Sequence, residues 1–424
     1  MNKSDSERIA GYLERLGFSE APERKLADLV VINTCGVRQS AEDRIYGLIP
    51  KLKKENKDTK IVLTGCLSDR KDVQQRMKDK VDIWLSVTNL LDLDKDLKKV
   101  FPELRGPERT ISGDYLKIDP KTGSVFSAFV PIGNGCDNFC SYCVVPYARG
   151  REVYRDSEDI LCEIKDLIDK GFKEINLIAQ NVNSYTCPRP GSEFDFSDLL
   201  DRVASISGDF WVRFSTSHPK DMTQKLIDTV AKHKKICRHI HLPAQAGDND
   251  ILDKMNRKYT VEHYKDLIRR IRDKIPGVAL TTDIIVGFPG ESERQFKNTC
   301  DLFSEVGFDM AYVAQFSPRP GTAASDLKDD IDPDTKKDRE ETLMNILRQT
   351  ASQNNLFYLN KSFSVLIESR DKKGNFIART NTNKNVRIDC DSDRDLVGSF
   401  QCVEITEAAD FGLKGKLKTS VQKK

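Results

Sequence analysis

The chain has no run of eighteen or more apolar residues, so no helix able to cross a membrane is expected. Met1 to Arg8 is polar and charged, and no secretory leader is expected there either. Strong net charge is also missing: the formal charge is only +2, which favours no particular partner for the chain as a whole. Nor is there a dense, regular cysteine framework. The eleven cysteines, an odd number, are scattered apart from one cluster, which argues against a small disulfide-stapled secreted fold and for reducing, cytoplasmic surroundings. Internal repeats and low-complexity tracts are not evident, so the organisation has to be read element by element.

What is present begins with size. At 424 residues the chain exceeds the usual reach of one hydrophobic core, and two or three domains are expected. Its charge is uneven: residues 361–424 hold thirteen Lys and Arg against nine Asp and Glu, a net +4 that leaves −2 on the remainder. Attraction for a polyanion would therefore concentrate at the C-terminal end, although a solvated face is the plainer reading of charge alone.

The densest chemical signal is Cys136, Cys140 and Cys143, three thiols within eight residues behind a short apolar stretch. Thiolates are soft ligands that suit iron–sulfur centres, and three of them on a four-iron cluster leave one iron open to a small molecule. The C-x-x-x-C-x-x-C spacing differs from the paired C-x-x-C groups of a closed zinc site. A structural zinc site completed by a remote His or Cys, or three unrelated thiols, remain open on spacing alone.

Periodicity predicts an α/β protein in three parts. Over 1–105, helices near Ser4–Leu16, Val37–Lys54 and Ser68–Lys78 alternate with strands Leu29–Asn33, Lys60–Thr64 and Val81–Leu85, which predicts a parallel sheet. Cys35 and Cys66 fall at equivalent strand ends, where such sheets bind ligands and where the two can meet; two buried small residues are the alternative. A connection rich in Pro, Gly and charge, from about Pro102 to Gly123, reads as a linker. Over 122–355 a second series has strands near Phe126–Ile132, Glu174–Ala179, Phe210–Phe214, Arg238–Leu242, Ala279–Val286 and Met310–Ala314. Six such units predict an incomplete barrel, a partial (β/α)6, with its site at the carboxyl ends of the strands. After a charged helix from Pro333 to Asn360, short alternating runs over 358–424 predict a small antiparallel β-barrel.

These parts carry motifs that together resemble one family. They include Asn33-Thr34-Cys35-Gly36-Val37-Arg38, Gly65-Cys66, Cys140-Ser141-Tyr142-Cys143-Val144-Val145-Pro146-Tyr147 and Ser215-Thr216-Ser217-His218-Pro219. His241-Leu242-Pro243-Ala244-Gln245, Asp283 to Glu291 and Pro318-Arg319-Pro320-Gly321-Thr322 continue them. Over nearly its whole length the chain resembles the radical S-adenosylmethionine (SAM) methylthiotransferases, and Gln180-Asn181-Val182-Asn183-Ser184-Tyr185 resembles the branch acting on isopentenyladenosine in tRNA. The resemblance implies methylthiolation, at carbon 2 of the base, of the N6-isopentenyladenosine beside the anticodon. Related branches act on threonylcarbamoyladenosine in tRNA or on an aspartate of a ribosomal protein.

What the resemblance implies for the site is specific. Cys136, Cys140 and Cys143 would hold a 4Fe-4S cluster to which SAM binds, yielding a radical that removes hydrogen from an unactivated carbon. Cys35 and Cys66 would hold a second 4Fe-4S cluster that donates the sulfur. The family's first cysteine lies in a Gly-Cys-Gln-Met-Asn run whose end matches Met1-Asn2, so the third ligand would fall two residues ahead of Met1. A longer native protein is expected, with a shortened form lacking sulfur transfer as the alternative. Gln180, Asn181, Ser215, Ser217 and Gln245 are candidate SAM-binding residues, each with an ordinary reading as a loop hydrogen-bonder. Asp283 is expected to brace its strand, His218 and His241 read equally well as structural, and Ala246 stands where relatives often have serine.

The C-terminal barrel resembles a TRAM domain. Lys361, Arg370, Lys372, Lys373, Arg379, Lys384 and Arg387 would be its phosphate contacts to a tRNA anticodon stem-loop. Arg149 and Arg151 are expected to meet phosphate or substrate carbonyls, with surface salt bridges as the alternative. An electron donor such as flavodoxin or ferredoxin is implied, and a monomer is expected.

Overall fold

Leu29–Thr34 and Lys60–Gly65 form parallel strands β1 and β2 in the computed structural model, which describes residues 1–36, 39–104, 115–389 and 395–418. With β3 (Ile83–Leu85) they make a sheet in the order β1-β2-β3. Around it lie helices α1 (Asn2–Arg15), α2 (Gln39–Glu55), α3 (Lys71–Met77) and α4 (Leu93–Val100). The central strand explains the two-sided core: Val62 joins Ile9, Tyr12, Leu93 and Leu97 on one face, while its neighbours Ile61 and Leu63 join Ile45, Ile49, Val73 and Met77 on the other. Period-two alternation sends adjacent side chains to opposite faces, and each fully buried aliphatic is worth about 1.5–3 kcal/mol.

One expectation changes here. The stretch read as a linker is not all linker, because Tyr115, Leu116 and Ile118 are buried in the cluster formed by α1 and α4. Arg8 donates from Nε to the Leu116 carbonyl at 3.1 Å and Tyr115 donates to Asp5 at 3.3 Å. These apolar residues sit among prolines, glycines and charges, which masked them; residues 105–114 of that stretch lie outside the described residues, as do Val37 and Arg38. These elements, together with 133–153 and 319–322, make one of two compact units.

The second unit comprises residues 124–132, 154–318 and 323–424. Its first strand is β4 (Ser127–Pro131), after which the chain leaves for the cysteine loop between the short strands β5 (Gly133–Asn134) and β6 (Val153–Tyr154), a loop that contains helix α5 (Val145–Arg149). Parallel strands β7 (Glu174–Ile178), β8 (Trp211–Phe214), β9 (His239–His241), β10 (Ala279–Val286) and β11 (Met310–Gln315) follow. They pair as β4-β7-β8 and β9-β10-β11. Among the described residues the two ladders meet through an isolated bridge at Val212, whose N–H donates to Lys235 O and whose carbonyl accepts from Cys237, so six strands make an open barrel rather than one continuous ladder.

Outside the strands run α6 (Ser157–Asp169), α7 (Phe196–Ser205), α8 (Gln224–Lys232), α9 (Asn249–Lys254), α10 (Val261–Lys274) and α11 (Glu293–Val306). Side chains of Asp156, Asp195, Thr223, Asp248, Thr260 and Ser292 cap them, each worth about 1 kcal/mol. Among the described residues no helix is long and apolar enough to cross a membrane.

Helix α12 (Pro333–Leu356) leads into a closed barrel of β12 (Ser362–Arg370), β13 (Phe376–Thr380), β14 (Asn385–Ile388), β15 (Phe400–Ala409) and β16 (Gly412–Leu417). Its interior is Val365, Ile367, Phe376, Ala378, Val386, Ile388, Val403 and Ile405. The expected all-antiparallel pairing is not met at one seam, where β14 and β16 run parallel. The β15–β16 hairpin turns β16 back alongside β14, and closure there removes two free sheet edges. This barrel is fastened to the larger one. Arg213 bonds Glu174 at 2.5 Å and the Thr380 carbonyl at 2.8 Å, Trp211 packs on Phe400 at 4.7 Å, and Lys384 pairs with Asp309 at 2.7 Å.

Candidate active site

The cysteine loop is built to hold its shape. Gly135 has φ 82°, and a Cβ there would lie 2.0 Å from the Arg151 carbonyl oxygen, so only glycine lets the two ends of the loop meet. Cys136 N–H donates to Gly150 O at 3.1 Å, Cys143 N–H to Cys140 O at 3.0 Å, and the Asp137 carboxylate accepts from Glu152 N–H at 3.1 Å and from Arg151. Phe139, between two of the cysteines, adopts a left-handed φ of 46°, uncommon for an aromatic residue and stored where the loop folds back.

None of the three thiols is tied up in a disulfide; Cys140 is buried and the other two are half-buried. Burial, and then the neighbouring Cys140, push the Cys143 thiol up to about 12, and burial also raises Cys136. Without a cation such thiols stay protonated, whereas a coordinated metal deprotonates them outright. The donor set therefore suits a metal cluster better than a free nucleophile.

Cys35 and Cys66 belong to the same unit as this loop. The register Thr34↔Gly65 brings them to neighbouring strand ends. Cys66 N–H donates to Thr34 O at 3.1 Å, and Gly65, at φ 89°, leaves no room for a Cβ, which would lie 2.4 Å from the same oxygen. Gly36 packs against both sets: a Cβ there would be 3.0 Å from the Cys66 Cβ and 3.3 Å from Val144, the residue after Cys143. The structure thus brings all five expected metal ligands into one unit.

Arg149 does not serve as expected. It is buried against Asp5 at 2.6 Å and also donates to Asn134 Oδ1 at 3.0 Å and Asn2 Oδ1 at 2.9 Å, while Asn2 donates to Thr34 O at 3.0 Å. It is a strut from α1 to the cysteine loop and is unavailable to a phosphate; Arg151 is committed to Asp137 at the surface. Asp5, Asn2 and Asn134 were not legible as site residues, since a Ser-Asp-Ser-Glu helix start looks like ordinary solvated polarity. Arg319, from the Pro-Arg-Pro-Gly-Thr run, joins this unit too and donates to Gln39 at 2.7 Å.

In the second unit the candidate SAM residues lie past the strand ends of β7, β8 and β9. Val182 N–H donates to Thr216 O at 3.1 Å and the Asn183 amide bonds both backbone groups of His218, which joins the Gln180–Asn183 and Ser215–Ser217 segments. Ser217 N–H reaches His241 O at 3.4 Å, and Gln245 N–H donates to Asp283 O at 2.9 Å. Thr216 and Gln245 have φ of 72° and 68°, left-handed backbone that a non-glycine residue, above all β-branched Thr216, adopts only where its surroundings dictate it. Asn181 is partly spent on Asp221 at 3.1 Å and on Ser184. Even so, Gln180 Oε1, Asn181 Oδ1 and Ser217 Oγ are buried without a protein partner. Such orphaned groups fit a polar small molecule. Ser215 is exposed. His218 is structural: it is buried and accepts from Lys220 N–H at 3.2 Å.

On the small barrel, Lys384 is buried in its pair with Asp309, which removes it from the expected phosphate contacts. Arg379 pairs with Glu368 at 3.0 Å. Lys361, Lys372 and Lys373 are exposed.

Comparison with known proteins agrees with this arrangement. Residues 130–303 match the Radical SAM superfamily, residues 1–86 the uncharacterized protein family UPF0004 and residues 357–418 the TRAM domain. Among solved structures, the radical S-adenosylmethionine methyltransferase TsrM from Kitasatospora setae superposes with a TM-score of 0.54 at 16% identity, over 76% of this chain and 67% of its own, a likeness of fold. The fold and the cysteine loop define a radical SAM protein.

Curated relatives narrow this further. The tRNA-2-methylthio-N(6)-dimethylallyladenosine synthase of Carboxydothermus hydrogenoformans is 41% identical over 98% of this chain and 97% of its own length. That of Alkaliphilus oremlandii is 39% identical over 98% and 90%. The chain belongs to the tRNA-2-methylthio-N(6)-dimethylallyladenosine synthase family.

Proposed function

We propose that this protein methylthiolates carbon 2 of N6-dimethylallyladenosine beside the anticodon of tRNA. The observation that carries the reading is the closed cysteine loop with Cys35 and Cys66 in the same unit, in a chain whose relatives bear that name along its full length. Cys136, Cys140 and Cys143 would hold one 4Fe-4S cluster, and Cys35 and Cys66 would contribute to a second. When bound, these clusters and SAM supply one-electron chemistry able to reach an unactivated aromatic C–H, together with the sulfur and methyl groups.

The chain's own residues prepare that chemistry. Gly135 and Asp137 hold the two ends of the loop together, and Arg149 with Asp5 fixes the loop against α1. Gln180, Asn181 and Ser217 offer buried acceptors and a hydroxyl for the amino and hydroxyl groups of SAM. Gly287, at φ 67°, and Phe288 shape the loop after β10; Glu291 accepts from Gly287 N–H at 2.7 Å and pairs with Arg339 of α12 at 2.8 Å, which locks that loop in place.

Segments 1–105, 122–355 and 358–424 would then serve sulfur donation, radical formation and RNA binding. A small electron carrier such as flavodoxin or ferredoxin would feed the site, in the cytoplasm where tRNA is modified, and the protein would act as a monomer. The test is mass spectrometry of tRNA nucleosides from a deletion strain with and without this chain. Restoration of the 2-methylthio nucleoside by the native chain, and not by Cys140→Ala, is the expected result; restoration by both would defeat the proposal.

A further inference from the structure

Where the TRAM barrel meets the larger barrel there is a cavity of about 210 Å³, lined by His239, Thr281 and Tyr312 on one side and Arg379, Asn383 and Phe411 on the other. None of the chemistry above uses it. Its rings are unusually open: Tyr312 is 55% exposed and Phe411 37%, although most aromatic side chains of this unit are buried. Both flank a space too small for a whole drug-sized ligand, which typically needs about 300 Å³ or more, yet adequate for a single flat ring.

The cavity is polar but balanced in charge. Arg379 is paired with Glu368 at 3.0 Å and Lys384 with Asp309 at 2.7 Å, so the lining has no surplus cation calling for an anion. Burial first, and then the nearby charge of Arg213, hold His239 well below its ordinary pKa, so it is a neutral imidazole at physiological pH. The Thr281 hydroxyl lies 3.0 Å from His239 Nε2 and 2.9 Å from His241 Nδ1. Asn383, with φ 65°, is held in its turn by a 3.2 Å bond from Arg379 to its Oδ1. Amide, imidazole and hydroxyl groups around an aromatic face are what a splayed-out nucleobase requires, and a phosphate would want unpaired cations instead.

Position supports this. Thr281 and Ile285 share strand β10, and Ile285 N–H donates to Gln245 O at 3.0 Å, at the level of the candidate SAM loops. Four residues of strand span roughly 13 Å. An extended single strand covers that distance in about two nucleotides.

We propose that the junction cavity takes the neutral base of an unpaired nucleotide flanking the one that is modified, stacked on Tyr312 and read by Asn383 and His239. This rests on tRNA being the substrate. The experiment uses the full chain and a fluorescent anticodon stem-loop RNA carrying an abasic site at each loop position in turn, with affinity read by anisotropy. One flanking abasic position should weaken binding to the native chain about tenfold, as loss of a stacked base does. Tyr312→Ala should weaken binding of intact RNA similarly and erase the penalty at that one position. Phe411→Ala, on the opposite wall of the same cavity, should act in the same direction to a smaller degree.

Equal penalties for native and Tyr312→Ala protein at every position, or no effect of either variant on intact RNA, would overturn the proposal. So would a flat abasic scan in which only Arg379→Gln weakens binding, because the cavity would then hold a phosphate. Formation of 2-methylthio product on intact RNA by the native chain, measured alongside, separates the two failures. Product with a flat scan removes this proposal alone, whereas no product removes the substrate reading and this proposal with it.

Discussion

Two sets of cysteines end up in one unit of this protein by different routes. Cys136, Cys140 and Cys143 sit on one short loop, closed by hydrogen bonds among its own residues and by the missing side chain of Gly135. Cys35 and Cys66 are thirty-one positions apart in sequence and become neighbours only because β1 and β2 pair in register. The first set is a local motif, robust to what happens elsewhere. The second depends on a sheet, so it should fail whenever the sheet is disturbed.

The largest effect expected is chemical. Cys140→Ala should remove roughly four iron atoms per chain and all SAM cleavage, while Cys66→Ala should leave reductive SAM cleavage in place and abolish only sulfur transfer. Iron analysis and assay of cleaved SAM on reduction check this; loss of SAM cleavage in both variants would erase the distinction drawn above.

Next, the pair Arg213 and Glu174 tests whether the second unit can be loosened without touching either set. Burial raises the Glu174 carboxyl, but Arg213, Ser127 and Asn176 outweigh it and leave it below the usual carboxylate range. Arg213→Met strands that charge and should cost about 3–5 kcal/mol in urea unfolding, with Arg213→Met/Glu174→Leu costing less than Arg213→Met alone. The iron content of the reconstituted chain should be unchanged under native conditions.

The glycines sharpen the contrast directly. Gly65→Ala forces a Cβ to 2.4 Å from Thr34 O and Gly135→Ala one to 2.0 Å from Arg151 O, both at positive φ. Each should destabilise by about 2–3 kcal/mol. Gly65→Ala should impair sulfur transfer while sparing SAM cleavage, and Gly135→Ala should impair both; matching phenotypes would break the comparison.

The smallest effect concerns pH. Burial, then Arg257 and Lys220, hold the His218 pKa down to about 2, against an unfolded value near 6.5. The unfolded chain binds that proton first, so stability is lost as pH falls below about 6.5, at up to ~1.4 kcal/mol per unit, until the folded pKa is reached. His218→Gln should flatten part of the fall in urea midpoint between pH 7 and pH 5. An unchanged slope would mean that His218 is protonated without cost in the fold.

Much of the architecture was legible because periodicity survives folding. The six barrel strands lie within a residue or two of their expected limits, since β-branched runs bounded by polar turns have one economical use in a parallel sheet. Local cues failed where burial was decided by distant partners. Tyr115, Leu116 and Ile118 looked like linker until α1 covered them, and Lys384 looked like a phosphate contact until Asp309, seventy-five positions earlier, took it. Arg149 shows the same limit, because nothing in its neighbourhood announces Asp5.

Sequence by itself settled what depends on spacing along the chain: the thiol triplet, the alternating elements and the family they belong to. Only the tertiary structure decided what depends on register and closure. Cys35 and Cys66 come to adjacent strand ends through strand pairing, Arg149 becomes a strut through burial, and the junction cavity exists because one barrel is docked on another. The reason is that a contact within a few residues is set by backbone geometry, whereas a contact across dozens forms only when the burial of many other side chains brings its partners together.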